Sequence, residues 1–286
     1  MNLFNIIEEI EKIDPEVTDR MSPRRAAIKN ITSFGSKVAV AALPFAVTTL
    51  FKKAYAQSTP TQVIGVLNFA LTLELLESTF YNQGGDKSGL IPSSDKTTYF
   101  DKVRSDENAH VTFLTSTITS LGGTPVKASD FTFDLTAGGT FADVLTNYDT
   151  FLKVGVAFED TGVRAYKGQA PALLGNEVVL GAALAIHAVE ARHAAAIRYV
   201  INKKLNLGLK PWITSGTQGN DTGIIAVNNN YSGEQNIMQL GIDITTLPKT
   251  GSSNSLSSAT AAFDEPLSMD SVLTLLVGPG KFIVPN

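Results

Sequence analysis

Four stretches of this chain carry the same unusual pattern: an apolar stripe at helical spacing, interrupted at its middle by a glutamate. The first stripe runs Ile64, Leu67, Leu71, Glu74, Ser78, Tyr81, and the second Phe100, Val103, Glu107, His110, Leu114, Thr117, Leu121. The third runs Leu145, Tyr148, Leu152, Gly155, Glu159, Gly162, Tyr166, and the fourth Val179, Ala183, Ile186, Glu190, His193, Ile197, Val200. Steps alternate between three and four, which keeps each stripe on one helix face and turns that face toward a bundle axis. The expected fold is therefore all-α, a four-helix bundle. A buried carboxylate costs several kcal/mol, on the order of 3 or more, unless it is paired or bound to a cation. Four at matching depth ask for a common partner.

The helix limits follow from local signals. Thr59-Pro60-Thr61-Gln62 reads as a start with Pro at the first position and Gln three after the cap, and Gln83-Gly84-Gly85 reads as a stop. The second helix is expected from about Ser94-Asp95 to Gly122-Gly123, the third from about Thr140 to Lys167-Gly168, and the fourth from about Asn176 to Leu207-Gly208. The link from Gly122 to Gly139 has about eighteen residues; at ~3.3 Å each it reaches ~60 Å, enough to run the length of a helix. One long crossover, placing the second and third helices parallel, is the expectation.

Glu107/His110 and Glu190/His193 are i,i+3 pairs, so both side chains leave one face and can converge on one ion. With three histidines and twelve glutamates in the chain, two such pairs arise by accident on the order of 0.5% of the time. Glu74, Glu107, His110, Glu159, Glu190 and His193 are thus the candidate metal ligands. The four carboxylates balance two divalent ions. Glu77, one turn after Glu74, competes for the first position, and stripe register favours Glu74. His187 precedes Glu190 by one turn and reads either as a contact or ligand of the centre or as a polar surface residue. Tyr81 and Tyr166 each follow a candidate ligand by two turns and could hydrogen-bond a carboxylate or simply fill the core.

The chain has no cysteine, which excludes disulfides, thiolate metal sites and Fe–S clusters. A formal charge of -4 argues against a nucleic-acid partner. The leading segment, 1–57, is expected to be removed. Ser22-Pro23-Arg24-Arg25-Ala26-Ala27-Ile28-Lys29, a short apolar run from Val38 to Phe51, Lys52-Lys53 and Ala54-Tyr55-Ala56 resemble a twin-arginine export signal cut after Ala56. An uncleaved anchor helix is the competing reading, and either Met1 or Met21 could start the chain. The implied partners are the twin-arginine translocation machinery and signal peptidase, and the implied location is periplasmic or cell-envelope. Residues 58–209 form the bundle domain. Residues 210–286, rich in Gly, Ser, Thr and Asn, read as an irregular extension wrapping the bundle, with a short helix at Met269 to Val277.

Leu67-Asn68-x-x-Leu71-x-x-Glu74 with Tyr81 seven residues on, Glu107-Asn108-Ala109-His110, Phe158-Glu159-Asp160-Thr161-Gly162 and Glu190-Ala191-Arg192-His193 resemble the helices of bacterioferritin-type proteins. Together with Phe263-Asp264-Glu265-Pro266-Leu267, the pattern resembles the exported bacterial ferritin-like domain proteins, relatives of plant desiccation-related proteins. The resemblance implies the same six residues as di-iron or di-manganese ligands and carries no haem. It implies either a di-metal oxidoreductase that oxidises Fe(II) or reacts with oxygen or peroxide, or a structural or desiccation-protective protein without turnover. It leaves a homo-oligomer open.

Overall fold

The computed structural model describes residues 59–213, 222–239, 241–246 and 256–286. The segment read as an export signal lies outside the described residues. Four long helices form the bundle: α1 Pro60–Asp86, α2 Asp101–Ser120, α3 Tyr148–Gln169 and α4 Glu177–Leu205. α1 packs chiefly on α2 and α3 on α4, and a smaller α1–α3 contact joins the two pairs. Nearly every stripe residue is buried, with Ile64, Ser78, Leu121 and Leu145 at the stripe ends or edges only partly so.

The helix ends correct several sequence expectations. Pro60 starts α1, but Thr59 makes no side-chain cap and the Gln62 box does not form. α1 runs through Gly84-Gly85 rather than stopping there, because Gly84 is a packing position: a Cβ on it would lie 2.2 Å from the Phe151 ring. α2 is led in by a helical turn at Ser93–Asp95 and a π turn at Lys96–Phe100, a widening that the spacing did not announce. α3 starts at Tyr148, later than Thr140. Asn147 caps it by accepting the Asp149 N–H at 3.0 Å. The preceding residues cannot be helical, because Ala137, Gly138 and Gly139 all have positive φ and Asp134 ties the Thr136 and Gly138 N–H groups into a turn. α4 begins on the expected Asn176 cap and ends at Leu205, where Asn206 in the left-handed conformation closes it just before the expected Leu207-Gly208 stop.

The crossover is therefore longer than expected, spanning residues 121–147, and it contains a strand, β1 Phe131–Phe133. The rest of the chain supplies short elements: α5 Ile225–Asn228, β2 Met238–Gln239, β3 Ile242–Asp243, α6 Leu256–Ala262, α7 Met269–Leu276 and β4 Ile283–Pro285. β4 pairs antiparallel with β1, Phe131 opposite Pro285 and Phe133 opposite Ile283, so the extension pins the crossover.

The extension also docks on α3 through charge. Asp160 and Arg198 form a buried bidentate pair between α3 and α4, and the Tyr231 hydroxyl donates to Asp160 at 2.6 Å. Arg164 spreads its guanidinium over the extension, with Nε 2.8 Å from Glu234 and Nη2 donating to the Ser232 carbonyl at 2.7 Å. The Leu267 N–H returns to the Arg164 carbonyl at 3.0 Å. α1 and α4 are long and apolar enough to cross a membrane by length and composition, yet each carries cluster carboxylates at its middle and faces the other helices of the bundle.

Candidate metal centre

The four stripes bring Glu74, Glu107, Glu159 and Glu190 to one level of the bundle, each with no exposed surface. His110 and His193 stand one turn along α2 and α4, 8% and 5% exposed. His110 Nδ1 lies 3.1 Å from Glu74, 3.2 Å from Glu107 and 3.2 Å from Glu190. His193 Nδ1 lies 2.8 Å from Glu107 and 3.2 Å from Glu159. All six sequence candidates thus meet in one pocket.

Their donor atoms fall into two quartets, each within 4.8 Å: Glu74, Glu107, His110 and Glu190, and Glu107, Glu159, Glu190 and His193. Glu107 and Glu190 belong to both. Glu107 Oε1 and both Glu190 oxygens are buried without a hydrogen-bond partner. The close approaches of His193 to Glu107 Oε1 and of His110 to Glu190 Oε1 are ion-pair distances off the hydrogen-bonding direction. Orphaned buried carboxylate oxygens at the shared positions are what bridging ligands look like before an ion takes their lone pairs. The donor set, nitrogen and carboxylate oxygen without sulfur, fits iron or manganese.

The outer ligands are cross-braced. Tyr81 on α1 donates to Glu159 on α3, and Tyr166 on α3 donates to Glu74 on α1. Both sequence options for these tyrosines hold at once: the rings fill the core and the hydroxyls fix one carboxylate oxygen each, leaving the other for the cluster.

The spacings Glu74–Tyr81 and Glu159–Tyr166, and the two Glu–His pairs, make the halves of the site nearly equivalent. Two side chains break that equivalence: Asp106, which the sequence did not single out, and Glu77, which it weighed against Glu74. Asp106, beside Glu107, accepts from or pairs with His193 Nε2 at 3.1 Å and is itself held by Lys102. It aims Nδ1 at the cluster, the usual duty of a carboxylate behind a histidine ligand. The matching residue before Glu190 is Val189, so His110 has no such brace. Glu77 is buried at the cluster edge, 3% exposed, opposite the equivalent residue on α3, Gly162. A Cβ on Gly162 would lie 3.2 Å from Glu190 Oε2 and 3.4 Å from Glu77 Oε1, so glycine leaves room for both carboxylates. Glu77 is outside both quartets, as the stripe register expected. His187 also stays outside them: its Nδ1 meets the Val163 carbonyl at 2.9 Å, tying α4 to α3.

Without an ion the cluster holds protons. Burial drives Glu74 up to about 7 against the pull of His110. Burial, then repulsion from Glu107 and Glu74, pushes Glu77 and Glu190 well above the ordinary glutamate value. For His110, burial pulls downward, but attraction to Glu74 and the carboxylate contacts outweigh it and lift the imidazole to about 11. His193 is raised in the same way, with Glu159 the main attracting charge.

Four facing helices that gather four glutamates and two histidines into their interior define a ferritin-like bundle with a carboxylate–histidine centre. Residues 62–203, which take in nearly the whole bundle, match the family model of the ferritin-like domain. No curated protein matches the sequence.

Proposed function

We propose that the chain is an exported ferritin-like protein whose cluster holds two ions, iron or manganese, and which oxidises Fe(II) or reacts with oxygen or peroxide. The observation that carries this reading is the sharing of Glu107 and Glu190 between two quartets that each add one carboxylate and one imidazole. Two ions would be held by these two quartets with Glu107 and Glu190 available to both, and a single ion would leave one quartet uncompensated. Bound there, iron or manganese supplies a redox couple stabilised by carboxylate ligation.

The chain's own contribution is positioning and protection. Tyr81 and Tyr166 fix the outer glutamates, Asp106 fixes the His193 ring, and the apolar stripe above and below excludes bulk water. Glu77, whose burial makes its carboxyl hold a proton more tightly than a surface glutamate does, places a proton donor at the cluster edge.

Loading the protein anaerobically with Fe(II) and then admitting oxygen tests the reading. Uptake of two ions, followed by a near-ultraviolet ferric absorption within seconds, is expected. Tight loading with no spectral change would instead support a protective protein in which the metal only staples the fold.

Export by the twin-arginine route is part of the proposal and rests on the leading segment. Replacing both Arg24 and Arg25 by Lys should leave uncleaved precursor in the cytoplasm, read by fractionation and mass. Undiminished export of the double variant would overturn it.

A further inference from the structure

The extension lines a partly open pocket of about 280 Å³ between the crossover, α3 and its own short elements. Its walls are mostly apolar, including Ala157, Phe158, Val227, Leu275 and Phe282. Four polar residues also line it: Thr140, Lys281, Thr161 and Asn230. On the α3 side Thr161 and Asn230 bond each other at 2.9 Å, and Thr161 also donates to the Ala157 carbonyl at 2.6 Å. Their hydrogen-bonding capacity is thus turned into the wall.

A second, much smaller space of about 10 Å³ lies between α1 and α3, bounded by Leu73, Leu76 and Gly162, with Glu77 at its inner end. Phe158, Thr161 and Leu276 are walls of both spaces. Leu276, on α7 of the extension, is the member of that trio not contributed by the bundle. The small space has room for about one water-sized molecule. It reaches the cluster on the α1–α3 side, where Gly162 leaves the carboxylates uncovered, whereas His110, His193 and Asp106 come from α2 and α4.

We propose that the extension builds an apolar corridor, from the larger chamber past Leu276 to Glu77, which delivers a small uncharged oxidant of dioxygen or peroxide size to the metal centre. The inference rests on the metal reading given above and adds the route and its selectivity. A neck this narrow excludes organic molecules by size. Its leucine and phenylalanine walls disfavour ions, because a cation that sheds its water to pass them meets only the Thr161 hydroxyl, already committed to the Ala157 carbonyl, before it reaches Glu77. Metal ions therefore take a different path, and the α2–α4 side offers one, since the Asp106 side chain is 22% exposed and the His110 side chain 11%. The extension is then a selectivity element as well as a cover.

The test uses nitric oxide as an uncharged diatomic probe on anaerobically Fe(II)-loaded protein, mixed by stopped flow and read by nitrosyl absorption. Leu276→Trp and the milder Leu276→Phe should slow nitric oxide association by about 10-fold or more, while the final amplitude and the rate of Fe(II) uptake stay within about twofold of the parent. Leu276→Ala should match the parent or exceed it. The slowing counts only in a variant that keeps the parent melting temperature, and the Phe variant serves where the Trp variant does not fold. Equal association rates across Ala, Leu and Phe would overturn the corridor, as would Fe(II) uptake that slows in parallel with nitric oxide. Parent protein that takes up no iron would overturn the metal reading instead. Xenon pressed into metal-free crystals reads the chamber separately: it should occupy the space beside Leu276, and its absence there would overturn the corridor whatever the iron result.

Discussion

Stripping the metal should lower the melting temperature by roughly 10 °C at neutral pH, and the gap between loaded and metal-free protein should widen as pH rises. With free ion at about a thousandfold over Kd, binding to the folded state alone contributes about 4 kcal/mol, and a chain of this size shifts by a few degrees per kcal/mol. The pH dependence has a definite sign. Glu74 moves from 4.5 in the unfolded chain to about 7 in the folded, metal-free one, so its proton stabilises the fold fully below 4.5 and that contribution is lost as pH rises through about 7. Glu190 is displaced in the same direction. The raised histidines add stability below 6.5 that persists up to about 11 in the case of His110. Metal-free protein should therefore weaken between about pH 5 and about pH 8, while metal uptake, which displaces protons, strengthens over the same interval. Calorimetric scans of both forms across that range make the measurement.

The same experiment sorts the ligands. Glu107→Ala or His193→Ala should abolish loading of two ions and also lower the metal-free melting temperature, because each strips buried groups of a charged partner. Glu107 is that partner for His110 and His193, and His193 is that partner for Asp106, Glu107 and Glu159. Glu77→Ala should still load two ions. Full loading of the Glu107→Ala protein would sink the proposed centre, and a melting temperature indifferent to metal would favour a polar core satisfied by its own protons.

Arg198→Ala should cost about 3–5 kcal/mol, read as a lower midpoint in urea with an unchanged slope. Asp160 would be left in the interior with the Tyr231 hydroxyl as its main remaining donor and no cation bonded to it. Replacing Asp160 and Arg198 together by Asn and Met should recover much of that loss, since removing both charges also removes the demand for compensation. A single-variant loss below about 1 kcal/mol would show that water reaches the pair and that the extension covers α3 only loosely.

The seams were legible because burial in a bundle follows a period, and all six cluster residues sit on that period. Their convergence followed from the fold class alone. Asp160 and Arg164 were not legible: they lie off the α3 seam and look like solvent-facing residues until the segment around Asn230 to Glu234 is laid over them. Their spacing, an acid and a base four apart on one helix, was the available signal. Asp106 was hidden by adjacency, since a residue next to a seam glutamate usually faces away, and only the approach of α4 brings His193 Nε2 to it. The early start assigned to α3 failed for a backbone reason. Thr140 to Leu145 have acceptable helix composition, but three successive positive-φ residues before them and a competing asparagine cap after them decide the matter.

The pairing of β1 with β4 joins residues more than a hundred and fifty positions apart, Phe131 with Pro285 and Thr132 with the Asn286 side chain. Contacts of such separation form late, after the local helix pairs have closed. The crossover thus receives its last strand only after residues 283–285 have been made, and a chain cut short of them would leave the β1 edge open.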